Sequence, residues 1–212
     1  MARISFPSEV DVDIQGDLTV RGTISPLIAR SNLQEDTAQA YAIPLTSAKV
    51  WDAAHTNLPG TAAADDLEIT TGTWGTNSPS IQTNDLKTAG ATSRFALLEF
   101  TLPPEYITNG TVTLRLSAGM ITTIADNSCT IDAQVYKTDR EAGVSGGDLC
   151  TTAAQSINSL TYTNADFTIT PSSLNVGDTI LIRVEIACND AASGTAVIGS
   201  LGGAQVLLDI KG

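Results

Sequence analysis

The chain has 212 residues, 42% hydrophobic but only 5% aromatic, and its 23 acids outnumber its 11 bases to leave a net charge of −12. That apolar content excludes a wholly disordered chain, and so few bases leave no phosphate-neutralising face, so no nucleic-acid partner is expected. The single histidine, His55, leaves little room for hydrolytic triads or imidazole-based zinc sites.

In chain order, Met1–Val20 lacks the apolar centre of a signal peptide, and no apolar run approaches the about 18 residues of a membrane helix. Synthesis in a cytoplasm and no membrane partner are therefore expected. Asp11–Ser25 alternates, with Val12, Ile14, Leu18, Val20 and Ile24 on one face, and Gly16 and Gly22 cut it into very short strands. Strands this short are not stable alone. Residues 1–45 are therefore expected to form an extended arm, docked on a partner or intertwined in an oligomer, ahead of a domain spanning 46–212. Asn32–Tyr41 has helical text, with Asn32 as N-cap, Glu35 three residues on and Pro44 as a stop. Val50–His55 reads as a turn or as the start of the first core strand.

The back half is strand text. Phe95–Leu102, Thr111–Ser117, Thr130–Tyr136, Phe167–Thr170, Thr179–Ala187 and Gln205–Lys211 are rich in Val, Ile, Leu and Thr, and most alternate apolar with polar. Asn109-Gly110 sits between two of these runs, as a hairpin turn would. Gly199–Gly203 has no helix after it to hold a phosphate and reads as a bulge or bend before the last strand. Together these features predict an all-β chain, an antiparallel β-sandwich of jelly-roll type with an extended N-terminal arm.

Chemistry-bearing patterns are thin. Cys129, Cys150 and Cys188 are odd in number and widely spaced, so Cys129 and Cys188 read as buried thiols and Cys150 as the most exposed. Asp65 and Asp66 are adjacent, so on a strand they point to opposite faces rather than converging as a hydrolase pair. Asp126-Asn127 and Asn189-Asp190 offer oxygen ligands but no calcium-loop pattern, as does Asp11–Asp17 beyond its first half. Neither a nucleophile elbow nor a P-loop occurs. No catalytic residue, metal or cofactor is expected, and the chain is not expected to be an enzyme.

Gly16–Ser25, GDLTVRGTIS, resembles the short element found in phage tail fibres, head fibres and other virion proteins. Asp65–Lys87, Phe100–Gly143 and Phe167–Ala192 resemble stretches of phage head decoration (cement) proteins. The resemblance implies a β-sandwich, often trimeric, bound to the outer surface of a capsid. It implies a major capsid protein as partner, a homotrimer, and a virion location. A strand-forming arm would add a strand to a partner's edge, and three arms would raise avidity. The residues available for that anchoring are Ile4, Phe6, Val12, Ile14, Leu18, Val20 and Ile24, with Arg3 and Arg21 as cations. The alternative expectation is a fibre or spike module that holds host glycans, for which Trp51, Trp74 and Tyr106 are the obvious aromatic candidates. A jelly-roll glycoside hydrolase and a major capsid protein rank below both.

Overall fold

The computed structural model describes residues 37–61, 64–73, 75–138, 144–192 and 194–211. The arm residues Arg3, Ile4, Phe6, Val12, Ile14, Leu18, Val20, Arg21 and Ile24 lie outside the described residues, as does Trp74.

The described chain is built from thirteen strands and one 3₁₀ turn, Leu45–Ser47. The strands are β1 (Thr37–Ile43), β2 (Lys49–Val50), β3 (Ala53–Asn57), β4 (Glu68–Thr70), β5 (Ser80–Gln82), β6 (Gly90–Thr101) and β7 (Val112–Met120). They continue with β8 (Ser128–Thr138), β9 (Val144–Ser145), β10 (Gln155–Ser156), β11 (Thr163–Ile169), β12 (Thr179–Asp190) and β13 (Gly199–Ile210). They form two antiparallel sheets. Sheet A runs β11-β7-β13-β5-β4, with β1 also paired to β13, and sheet B runs β10-β8-β12-β6-β2-β3, with β9 on β8.

From β6 onward the chain crosses between sheets at almost every connection: β6 in B, β7 in A, β8 in B, β11 in A, β12 in B and β13 in A. That winding is the jelly roll the strand text predicts. Alternation is the cause. Val112, Leu114 and Leu116 of β7, and Ile180, Ile182, Val184 and Ile186 of β12, are fully buried, while the residues between them reach the surface side. Each such side chain contributes about 1.5–3 kcal/mol when taken out of water. Two sheets with one apolar face each must meet face to face.

Several expectations need correction. Thr37–Tyr41 is not helical: it belongs to β1, which pairs along its whole length with Ala204–Ile210 of β13. A free sheet edge offering seven rungs outweighs a weak helical signal on a Thr- and Tyr-containing segment. The sandwich therefore begins before residue 46. The Asn109-Gly110 turn does not close a hairpin, because β6 and β7 lie in different sheets. Asn109 does take a positive φ of 66°, and the turn is pinned instead by Tyr106, whose Oη donates to the Gly110 carbonyl at 3.0 Å. Cys129 and Cys188 are not free thiols: they are opposite each other on β8 and β12 and form a disulfide.

Candidate functional site

The outward face of sheet A is where β13 changes partner. Its first residues pair with β5 (Ser200↔Gln82, Leu201↔Ile81), and its later residues pair with β1 (Ala204↔Ile43). Between them the register against β7 shifts by one residue, from Leu201↔Ala118 to Gly203↔Ser117, so Gly202 is the extra residue of a bulge. The bulge leaves a shallow groove of two cavities that meet at Gly202, about 440 and 470 Å³ in volume.

Tyr162, just ahead of β11, stands in the first cavity. Its ring rests across two glycines. A Cβ on Gly202 would sit 3.0 Å from Tyr162 Cε1, and one on Gly119 would sit 2.9 Å from Cδ2. Only glycine at both positions lets the ring settle on the sheet. Tyr162 remains 38% exposed, so part of the ring faces solvent.

Around the ring the lining is amide and hydroxyl. Gln82 Nε2 donates to Thr70 Oγ1 and to Ser80 Oγ, both at 2.7 Å. Asn77 is held by a backbone bond from Thr73 N to its Oδ1, at 3.2 Å. The second cavity adds Ser117, Asn164 and Gln205. Its charged member, Arg115, is clamped by Asp166 through two 2.7 Å bonds, from Nε and Nη2. That clamp raises the guanidinium pKa and holds the Asp166 carboxyl below the usual carboxylate range. Among the described residues the groove's lining thus carries one charged group, Arg115, already neutralised by Asp166, and one exposed aromatic platform. It can hold an uncharged ligand that is rich in hydroxyls and has an apolar face.

Of the aromatic candidates from the sequence, the two among the described residues, Tyr106 and Trp51, lie elsewhere. Tyr106 is fully buried. Trp51 is half-buried, its ring tilted against Phe95 with centroids 5.2 Å apart, with Arg183 over both rings and the indole Nε1 donating to Asp65 Oδ2 at 3.2 Å. Both rings are committed to internal contacts. Sequence reasoning missed Tyr162, because the two glycines beneath it lie on strands far from it in the sequence.

The remaining candidates do not gather into a reactive centre. His55 is exposed on β3. Asp66 is buried and bridges to Phe95, whereas Asp65 accepts from Trp51. Asp126-Asn127 and Asn189-Asp190 do meet: Asp126 N donates to Asp190 Oδ1 at 2.9 Å, and Asn127 N to the Asn189 carbonyl at 3.2 Å. Among the described residues no three acidic, histidine or cysteine side chains are grouped to hold a metal. Cys150 is half-buried, and burial first, then Asp148 and Asp132, outweighs a backbone bond at Thr152 to raise its thiol pKa.

No protein-family model and no curated protein matches the sequence. Among solved structures, the chain is similar to the CBM22-1 xylan-binding domain of Paenibacillus barcinonensis Xyn10C, at 12% identity and TM-score 0.43, over 84% of this chain and 99% of that one. It is similar to a xylan-binding domain from CBM 22 at 11% identity and TM-score 0.40, over 82% and 97%. It is also similar to the K1 cleaved adhesin domain of Lys-gingipain from Porphyromonas gingivalis W83, at 12% identity and TM-score 0.39, over 80% and 97%.

Proposed function

We propose that this chain is a receptor-binding module of a virion, a non-catalytic β-sandwich that holds a saccharide in the groove of sheet A. The observation that carries the reading is Tyr162, mounted on Gly119 and Gly202 within an amide- and hydroxyl-lined groove. A sugar presents C–H groups on its faces and hydroxyls at its rim. An aromatic ring with amides around it matches both. The virion setting is supported by the resemblance of Gly16–Ser25 to fibre elements. The buried Cys129–Cys188 disulfide supports a working place outside a reducing cytoplasm, such as a particle surface.

A glycan array probed with the full chain tests the reading. Specific saccharides are expected to bind, and Tyr162→Ala is expected to weaken them at least about tenfold, about 1.4 kcal/mol. An array with no bound saccharide would refute it.

The second reading is capsid decoration, favoured by the decoration-like stretches Asp65–Lys87, Phe100–Gly143 and Phe167–Ala192. In it the arm, through Ile4, Phe6, Val12, Ile14, Leu18, Val20 and Ile24, binds the major capsid protein. The two readings part on copy number. Electron microscopy of virions that carry the chain shows many symmetric copies on the shell for decoration, and few copies at a tail or vertex for a receptor-binding module.

A further inference from the structure

We infer that the groove takes a neutral oligosaccharide of at least two units and discriminates against uronate- and sialate-bearing ones. The inference rests on the saccharide reading and adds the ligand class to it.

Charge decides the first part. Among the described residues Arg115 is the charged one lining the two cavities, and Asp166 neutralises it through two parallel bonds from Nε and Nη2. The chain as a whole holds a net −12. A ligand carboxylate entering here would shed water to meet a guanidinium that Asp166 already neutralises, and it would approach a chain of like net charge. A neutral hydroxyl faces neither cost. Thr70 and Ser80 both accept from Gln82 and share one bond at 3.2 Å, which leaves one of the two hydroxyl hydrogens to donate, while Asn77, Asn164 and Gln205 supply amides that both donate and accept.

Shape decides the second part. The two cavities share Gly202, and Tyr162 stands beside that junction. Each is within the about 300–1,000 Å³ range of small-molecule sites. A chain lying across the bulge reaches both, and a single sugar reaches one.

Isothermal titration of the full chain tests this. The probes are neutral hexose and pentose oligosaccharides of about one to six units, and matched oligosaccharides that carry glucuronate or sialate. Neutral probes are expected to bind at least about tenfold tighter than their acidic partners, and longer probes tighter than single sugars. Asp166→Asn releases Arg115 toward the groove and is expected to shift the acidic-to-neutral affinity ratio upward by at least about threefold, with an unchanged circular dichroism spectrum. Gly202→Ala, which displaces the tyrosine ring, is expected to weaken every probe. Acidic probes binding as tightly as neutral ones, with Tyr162→Ala abolishing both, overturn the neutral assignment and leave the saccharide reading standing. An Asp166→Asn ratio equal to wild type also overturns it. Absence of binding by every probe removes the saccharide reading and this inference together.

Discussion

Cys129 and Cys188 face each other across β8 and β12 and tie together residues 59 apart in sequence, at the centre of sheet B. The link closes a loop that contains the connection through β9, β10 and β11, so it constrains the unfolded chain over about a third of its described length. On the chain-entropy account, such a loop is worth about 4 kcal/mol. Reduction, or the double substitution C129A/C188A, is expected to lower the melting temperature by about 10 °C, given about 2–4 °C per kcal/mol for domains of this size. Calorimetry with and without reductant checks this, and an unchanged melting temperature would contradict it.

Gly199 opens β13 directly beneath that disulfide. A Cβ there would meet Ile186 Cγ2 at 2.7 Å and Cys129 Sγ at 3.2 Å. Gly199→Val is expected to destabilise the fold by about 1–3 kcal/mol through overpacking. Urea titration measures it. A neutral outcome would show that the sheets separate more easily than their packing indicates.

Tyr106 is a structural pin rather than a ligand platform. It is fully buried, and its hydroxyl donates to the Gly110 carbonyl at 3.0 Å. Tyr106→Phe is expected to cost about 1 kcal/mol of stability and leave saccharide affinity unchanged. Parallel melting and titration experiments separate the two effects.

Asp66 is held with Oδ1 buried and without a hydrogen-bond partner among the described residues. Burial first, then the carboxylates of Asp65 and Asp52, raises its pKa. The native state therefore keeps this proton at pH values where the unfolded chain has released it. Stability from this group falls as pH climbs from about 4, the unfolded value, through the raised native one. Asp66→Asn is expected to melt higher than wild type at neutral pH, with the difference shrinking as pH falls toward about 3. Melting temperatures across that range test it, and a pH-independent difference would rule out titration as the cause.

The strands were legible because burial follows a period of two. Ile180 to Ile186 announce both β12 and its inward face, and Val112 to Leu116 do the same for β7. The bulge was legible too, because a glycine run inside strand text has few other uses, and Gly202 is where the register breaks. Sheet membership was not. Alternation says which side chains point inward but not which strand lies alongside, so β6 and β7 read as a hairpin although they lie in separate sheets. The disulfide was hidden for the same reason, since it depends on the register between β8 and β12. Tyr162 sits among polar residues in an irregular segment, and its platform comes from Gly119 and Gly202, 43 and 40 residues away in sequence. Only the folded sheet assembles that site.

The most direct test of the central claim is residue-level chemical-shift mapping of the full chain during titration with a bound neutral oligosaccharide. The account predicts perturbations confined to the outward face of sheet A, led by Gly119, Tyr162 and Gly202 and extending to Gln82 and Gln205. Perturbations centred on the Trp51–Phe95 ring pair by sheet B, or none at Gly119 and Gly202, would contradict it.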